Sequence, residues 1–177
     1  MKTILYNRYT ITSWLLALGS LFLMNSCTIS YKFNGASIDY STTKTISIAD
    51  FPNVAAIVYA PFSNNLSDGI RDLFQRQTRL EQVKRGGNLE LEGENTGYTL
   101  TPMAVSADSY ASETKLTITV KVRFTNNIAP EESLEKTYTA YQTFDASQML
   151  TDVQDELCNT MITEIAEQIY NDTVAKW

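Results

Sequence analysis

The sequence predicts an α+β fold, a two-layer sandwich with two amphipathic helices on one face of a mostly antiparallel sheet, in the order β-α-β-β-β-α. Three observations carry this. Residues 116–124 alternate apolar and polar side chains without a break, and two stretches place apolar residues at helical spacing. Removing an export leader leaves about 150 residues, which suits one domain and not two. Hydrophobic content of 44% is enough to build a core without a metal or disulfide staple.

The leader is residues 1–26. Lys2 and Arg8 give a positive start, and Ile11 to Met24 form an apolar run shorter than the roughly 20 residues that a spanning helix needs. Met24-Asn25-Ser26-Cys27 then resembles a lipobox, the site at which a bacterial lipoprotein is cleaved before its cysteine and acylated on it. Asn25 departs from the commonest pattern. Two or three acyl chains anchor stably where one is marginal. Residues 27–43, rich in Ser, Thr and Tyr, read as a lipidated tether, and residues 44–177 as the domain.

Ile46 and Ile48 alternate with polar neighbours, so Thr45 to Ile48 is the first strand, ended by Phe51-Pro52-Asn53. Val54 to Tyr59 is apolar without clear period and stops at Pro61. Asn64 and Asn65 then offer caps for a helix to about Thr78, with Leu66, Ile70, Leu73 and Phe74 on one stripe. Arg85-Gly86-Gly87 separates Leu80–Lys84 from Asn88–Leu100 and reads as the turn of a hairpin. Within the second strand Leu89 and Leu91 are apolar at odd positions, but Tyr98 and Leu100 at even ones, which demands a bulge at Gly93 or Gly97. Leu116, Ile118, Val120, Val122 and Phe124 mark the next strand, and Leu134 to Phe144 the last. Asp145 or Ser147 then caps a helix to about Val174, with Leu150, Val153, Leu157, Met161, Ile165 and Ile169 as its stripe. Apolar faces must match, so Leu100 opposes Leu116 and Tyr98 opposes Ile118. Below the bulge Glu94 faces Lys121 and Glu92 faces Arg123, which predicts two ion pairs.

The chain contains no histidine, which excludes Ser-His-Asp, Cys-His and His-metal chemistry. Glu90, Glu92 and Glu94 lie on one strand face without the accompanying ligands of a cation site, and read as a solvated face. Arg85-Gly86-Gly87 precedes a strand, so it is no phosphate cradle. The tyrosines, among them Tyr98, Tyr110, Tyr138, Tyr141 and Tyr170, would suit carbohydrate stacking, but in a chain with several strands they read as half-buried strand residues. No catalytic, cofactor or metal site is predicted. Cys27 and Cys158 are the two cysteines; with lipid on Cys27, Cys158 has no intramolecular partner. Loss of Lys2 and Arg8 with the leader would take the net charge from −6 to −8, which argues against a nucleic-acid partner.

The residues after the lipobox, Tyr31-Lys32-Phe33-Asn34-Gly35-Ala36-Ser37-Ile38, with Lys44-Thr45-Ile46-Ser47-Ile48, Gln77-Thr78-Arg79-Leu80, Glu92-Gly93, Gly97-Tyr98, Lys115-Leu116-Thr117-Ile118-Thr119-Val120 and Ala175-Lys176-Trp177, resemble in order and spacing the LptE family of lipopolysaccharide-assembly lipoproteins, in the form met in Bacteroidota. The resemblance implies a non-enzymatic protein on the periplasmic face of the outer membrane. It would plug and help assemble the LptD-type β-barrel that delivers lipopolysaccharide to the cell surface. Thr28-Ile29-Ser30 holds no acid, so the acidic surface-export signal of some Bacteroidota lipoproteins is absent. Under this reading the wet strand face with Lys121 and Arg123, and the Lys84-Arg85 pair at the expected hairpin tip, are the candidate contacts with the barrel or with lipopolysaccharide. A lipoprotein that binds a small ligand, or pilots another envelope machine, is the alternative.

Overall fold

The computed structural model describes residues 38–57, 59–103 and 113–175. The leader, Cys27, most of the tether and Tyr110 lie outside them. β1 (Thr45–Ile48) is the expected first strand, and Ile46 and Ile48 face the core. It lies between β2 (Glu81–Val83) and β3 (Leu89–Met103) and is parallel to both, with Thr45 beside Glu81 and Ile46 beside Leu89. From β3 the chain continues as an antiparallel meander through β4 (Glu113–Asn126) and β5 (Leu134–Asp145). The sheet order is β2-β1-β3-β4-β5. The architecture is the expected α+β one, with a mixed sheet.

The expected hairpin of Leu80–Lys84 with Asn88–Leu100 does not form. β2 and β3 run in the same direction, and the chain joins them by crossing over β1. Parallel strands normally need a long crossover; this one is short because it clears a single strand with nothing but backbone at the contact. Gly86 takes a φ of 70°, a region that side chains disfavour. A methyl group on Gly87 would stand 2.6 Å from the backbone nitrogen of Ser47. Asn88 fastens the far side: its Oδ1 accepts from the backbone nitrogens of Lys44 and Thr45 at 2.9 and 3.2 Å. The glycines that signal a turn serve here as a close-packed crossing.

The phase change in β3 is absorbed as the pattern demands. The register shifts between Asn95 and Gly97, leaving Thr96 as the extra residue; above it Tyr98 pairs with Ile118 and Leu100 with Leu116, below it Glu94 pairs with Lys121 and Glu92 with Arg123. Gly93 has a different task. Its α-carbon lies under the buried ring of Phe51, which a methyl group there would meet at 2.4 Å.

α1 (Ala60–Gln77) starts before Asn64 and Asn65. Pro61 sits in its first turn, where the missing N–H costs nothing. Phe62, Leu66, Ile70 and Phe74 are buried, and the Ser67 hydroxyl accepts from the backbone nitrogen of Phe51 at 2.9 Å, tying the helix to the chain that follows β1. α2 (Leu150–Thr173) has Met149 at its N-cap. Neither Asp145 nor Ser147 caps it, because Asp145 Oδ1 accepts from the backbone nitrogen of Ser147 at 2.8 Å and closes the preceding turn. Met161, Ile165 and Ile169 face the core as expected, but the buried stripe also takes in Cys158, Ile162 and Ala166, while Leu150 and Leu157 are only half-buried. Both helices share one hydrophobic core with the inward side chains of β1, β3, β4 and β5. Ile38 and Tyr40, just ahead of β1, pack against that core.

Candidate functional site

The side chains of β3, β4 and β5 that point away from the helices form a polar face. Thr99, Thr117 and Tyr141 make one cross-strand row, and Thr119 and Thr139 stand side by side in the next. Tyr141 is 61% exposed, with the Lys115 ammonium 5.6 Å from its ring centroid.

Lys121 and Arg123 lie on this face, opposite the predicted partners Glu94 and Glu92, but they do not pair with them. Both turn to the other neighbouring strand. Lys121 Nζ lies 2.6 Å from Glu135 Oε1, and Arg123 Nη2 lies 3.2 Å from Glu135 Oε2. Hydrogen bonds from Lys121 and then Arg123 hold the Glu135 carboxyl below its ordinary value. Glu92 and Glu94 are left without an ion pair among the described residues, on the wall of a shallow basin of about 240 Å³ shared with this triad. Sequence reasoning missed Glu135, although the turn at 126–133 sets the β4–β5 register that brings it beside Arg123.

Lys84 and Arg85 are exposed on the crossing and make no ion pair among the described residues. They line a groove of about 830 Å³ together with Glu90, Glu92 and Arg71. Arg71 is paired with Asp50 and Asp68 and donates to the Ile48 carbonyl at 3.3 Å. Glu92 lines both depressions, so the groove with Lys84 and Arg85 and the basin with Lys121 and Arg123 share one carboxylate. Lys121 and Arg123 share the single carboxylate of Glu135, which leaves the triad one net positive charge, whereas Lys84 and Arg85 make no ion pair among the described residues.

No group of three His, Cys, Asp or Glu among the described residues is placed to hold a metal ion. No helix among them is long and apolar enough to cross a membrane. Cys158 is buried, and burial pushes its thiol up to about 11.

The fold and the face define an α+β domain whose distinguishing feature is a broad polar surface. A family model described as LptE, lipopolysaccharide-assembly, matches residues 43–173. The chain belongs to that family. A search of curated proteins finds no match. Among solved structures, a neuraminyllactose-binding hemagglutinin homolog from Helicobacter pylori aligns at a TM-score of 0.54 and 8% identity, covering 80% of this chain and 88% of that one. That likeness is one of fold. A minor lipoprotein from Acinetobacter baumannii aligns at 0.47 and 15% identity, covering 72% and 89% of the two chains. Rare lipoprotein B from Shewanella oneidensis aligns at 0.44 and 10%, covering 72% and 92%.

Proposed function

We propose that this chain is an outer-membrane lipoprotein, acylated on Cys27, that plugs an LptD-like β-barrel from the periplasmic side and helps it deliver lipopolysaccharide to the cell surface. The role is one of assembly and binding, not catalysis. The family match over residues 43–173 carries the reading. The polar sheet face supports it, because the interior of a large outer-membrane barrel is itself polar and suits hydroxyls and paired charges. Lys121 and Arg123 would meet that lining as a triad with Glu135 that keeps one positive charge, while Lys84 and Arg85, without an ion pair among the described residues, would meet phosphate or carboxylate groups.

Purification of the full chain from detergent-solubilised outer membrane tests this. A barrel of far larger mass should accompany it in fixed proportion, and Cys27→Ala should release the chain from the membrane or leave the uncleaved precursor. A chain that is membrane-bound through Cys27 yet purifies without a barrel would sink the plug reading.

A further inference from the structure

The polar face ends at β5, whose outer edge receives no backbone hydrogen bond from another described residue between Leu134 and Phe144. Natural edges are guarded by shortness, proline, bulges or outward charge. β5 has none of the first three: it is 12 residues long, contains neither Pro nor Gly, and runs against β4 without a register shift. Its charges lie only at its two ends, and those at the first end are paired. Glu135 is held by Lys121 and Arg123 on the open face, and Lys136 lies 2.5 Å from Asp172 of α2 on the helix face. The stretch from Thr137 to Phe144 carries no charge at all.

We infer that this edge pairs with the same edge of a second copy, forming an antiparallel two-fold dimer with one continuous sheet. The strand's own sequence supplies the argument for that occupant. Keeping both helix layers on one side allows few registers. Centred on Ala140, the pairing sets Glu135 opposite the partner's Asp145 twice, and like charges directly opposite are destabilising. Centred on Thr139, it removes that conflict at the same overlap. Thr139 then meets the partner's Thr139, bulky Tyr138 meets the partner's small Ala140, Leu134 meets the partner's Phe144, and Glu135 meets the partner's Thr143. Threonine pairs, and aromatic residues beside β-branched ones such as Tyr141 beside the partner's Thr137, are favourable cross-strand neighbours. The dimer concerns the free protein and does not rest on the barrel reading.

Cysteine crosslinking of the purified full chain in detergent, free of other proteins, and its mass there, test this. Thr139→Cys should crosslink to a species of twice the chain mass under mild oxidation, whereas Thr137→Cys and Tyr141→Cys should each fail alone and succeed when co-expressed. Thr139 is exposed, so Thr139→Lys should fold normally, yet raise the dissociation constant at least about tenfold by setting two ammonium groups face to face. Mixing Thr139→Lys with Thr139→Glu copies should restore the dimer. A folded wild-type chain that stays monomeric at high concentration would overturn the inference. So would equal self-crosslinking from Thr137.

Discussion

Gly87 rests on the backbone of Ser47: a single methyl group on the glycine would come within 2.6 Å of the Ser47 nitrogen. The contact is between main chains, so no side chain can swing aside to relieve it.

Gly87→Ala should therefore destabilise the domain by about 1–3 kcal/mol, the usual cost of forcing extra volume into a packed site. Gly86→Ala meets nothing within 4 Å and suffers only the cost of its left-handed backbone, about 1 kcal/mol. Thermal melts of the two variants should rank them in that order; the reverse order would mean that the crossing does not lie against β1.

Glu135 titrates below its ordinary value because Lys121 and Arg123 donate to its charged form. A depressed native value means that the ionised carboxylate stabilises the fold, fully above the ordinary 4.5 and progressively less as pH falls through the native value. The melting-temperature difference between wild type and Glu135→Gln should thus be present at neutral pH and close under acid. It should also shrink in high salt, since the triad is exposed. A gap that widens on acidification would contradict the pairing.

Cys158 is 1% exposed, and its thiol is raised to about 11. The thiolate is the reactive form, so alkylation of the native chain at pH 8 should be slow and should accelerate by orders of magnitude on unfolding. Peptide mass spectrometry of residues around 158, before and after denaturant, reads this directly.

Lys84→Glu with Arg85→Glu changes two exposed side chains without touching the core. The double variant should melt normally and lose affinity for lipopolysaccharide or for the barrel, more strongly at low ionic strength. Unchanged binding would remove the crossing from the contact surface and leave the β4 cations as the candidates.

Much of the meander was legible because its periodicity is local: the alternation at 116–124 and the phase slip between Leu91 and Tyr98 suffice to pair β3 with β4 residue by residue. Three features were not, for separate physical reasons. Gly86-Gly87 has the same composition whether the chain turns back or steps over a strand, and only the position of β1, some forty residues earlier, decides between them. Pro61 looks like a terminator, yet fits the first turn of a helix, so α1 starts before the asparagines that resemble caps. The cations of β4 have acids on both flanks, and the choice of Glu135 over Glu92 and Glu94 is made by side-chain geometry that strand pairing alone leaves open.

The placement of β1 between β2 and β3 also governs the order in which the sheet can be completed. Thr45 waits for Glu81, and Ile46 for Leu89, so the first strand of the domain to be synthesised has no partner until residues well beyond α1 have followed it. Pairings so distant in sequence are slow to nucleate, because the loop entropy is lost before the contacts compensate. During that interval an unpaired β1 is a stretch of exposed backbone in need of protection. A chain stalled or truncated before Leu91 would thus carry its first strand unfinished, however well α1 had formed.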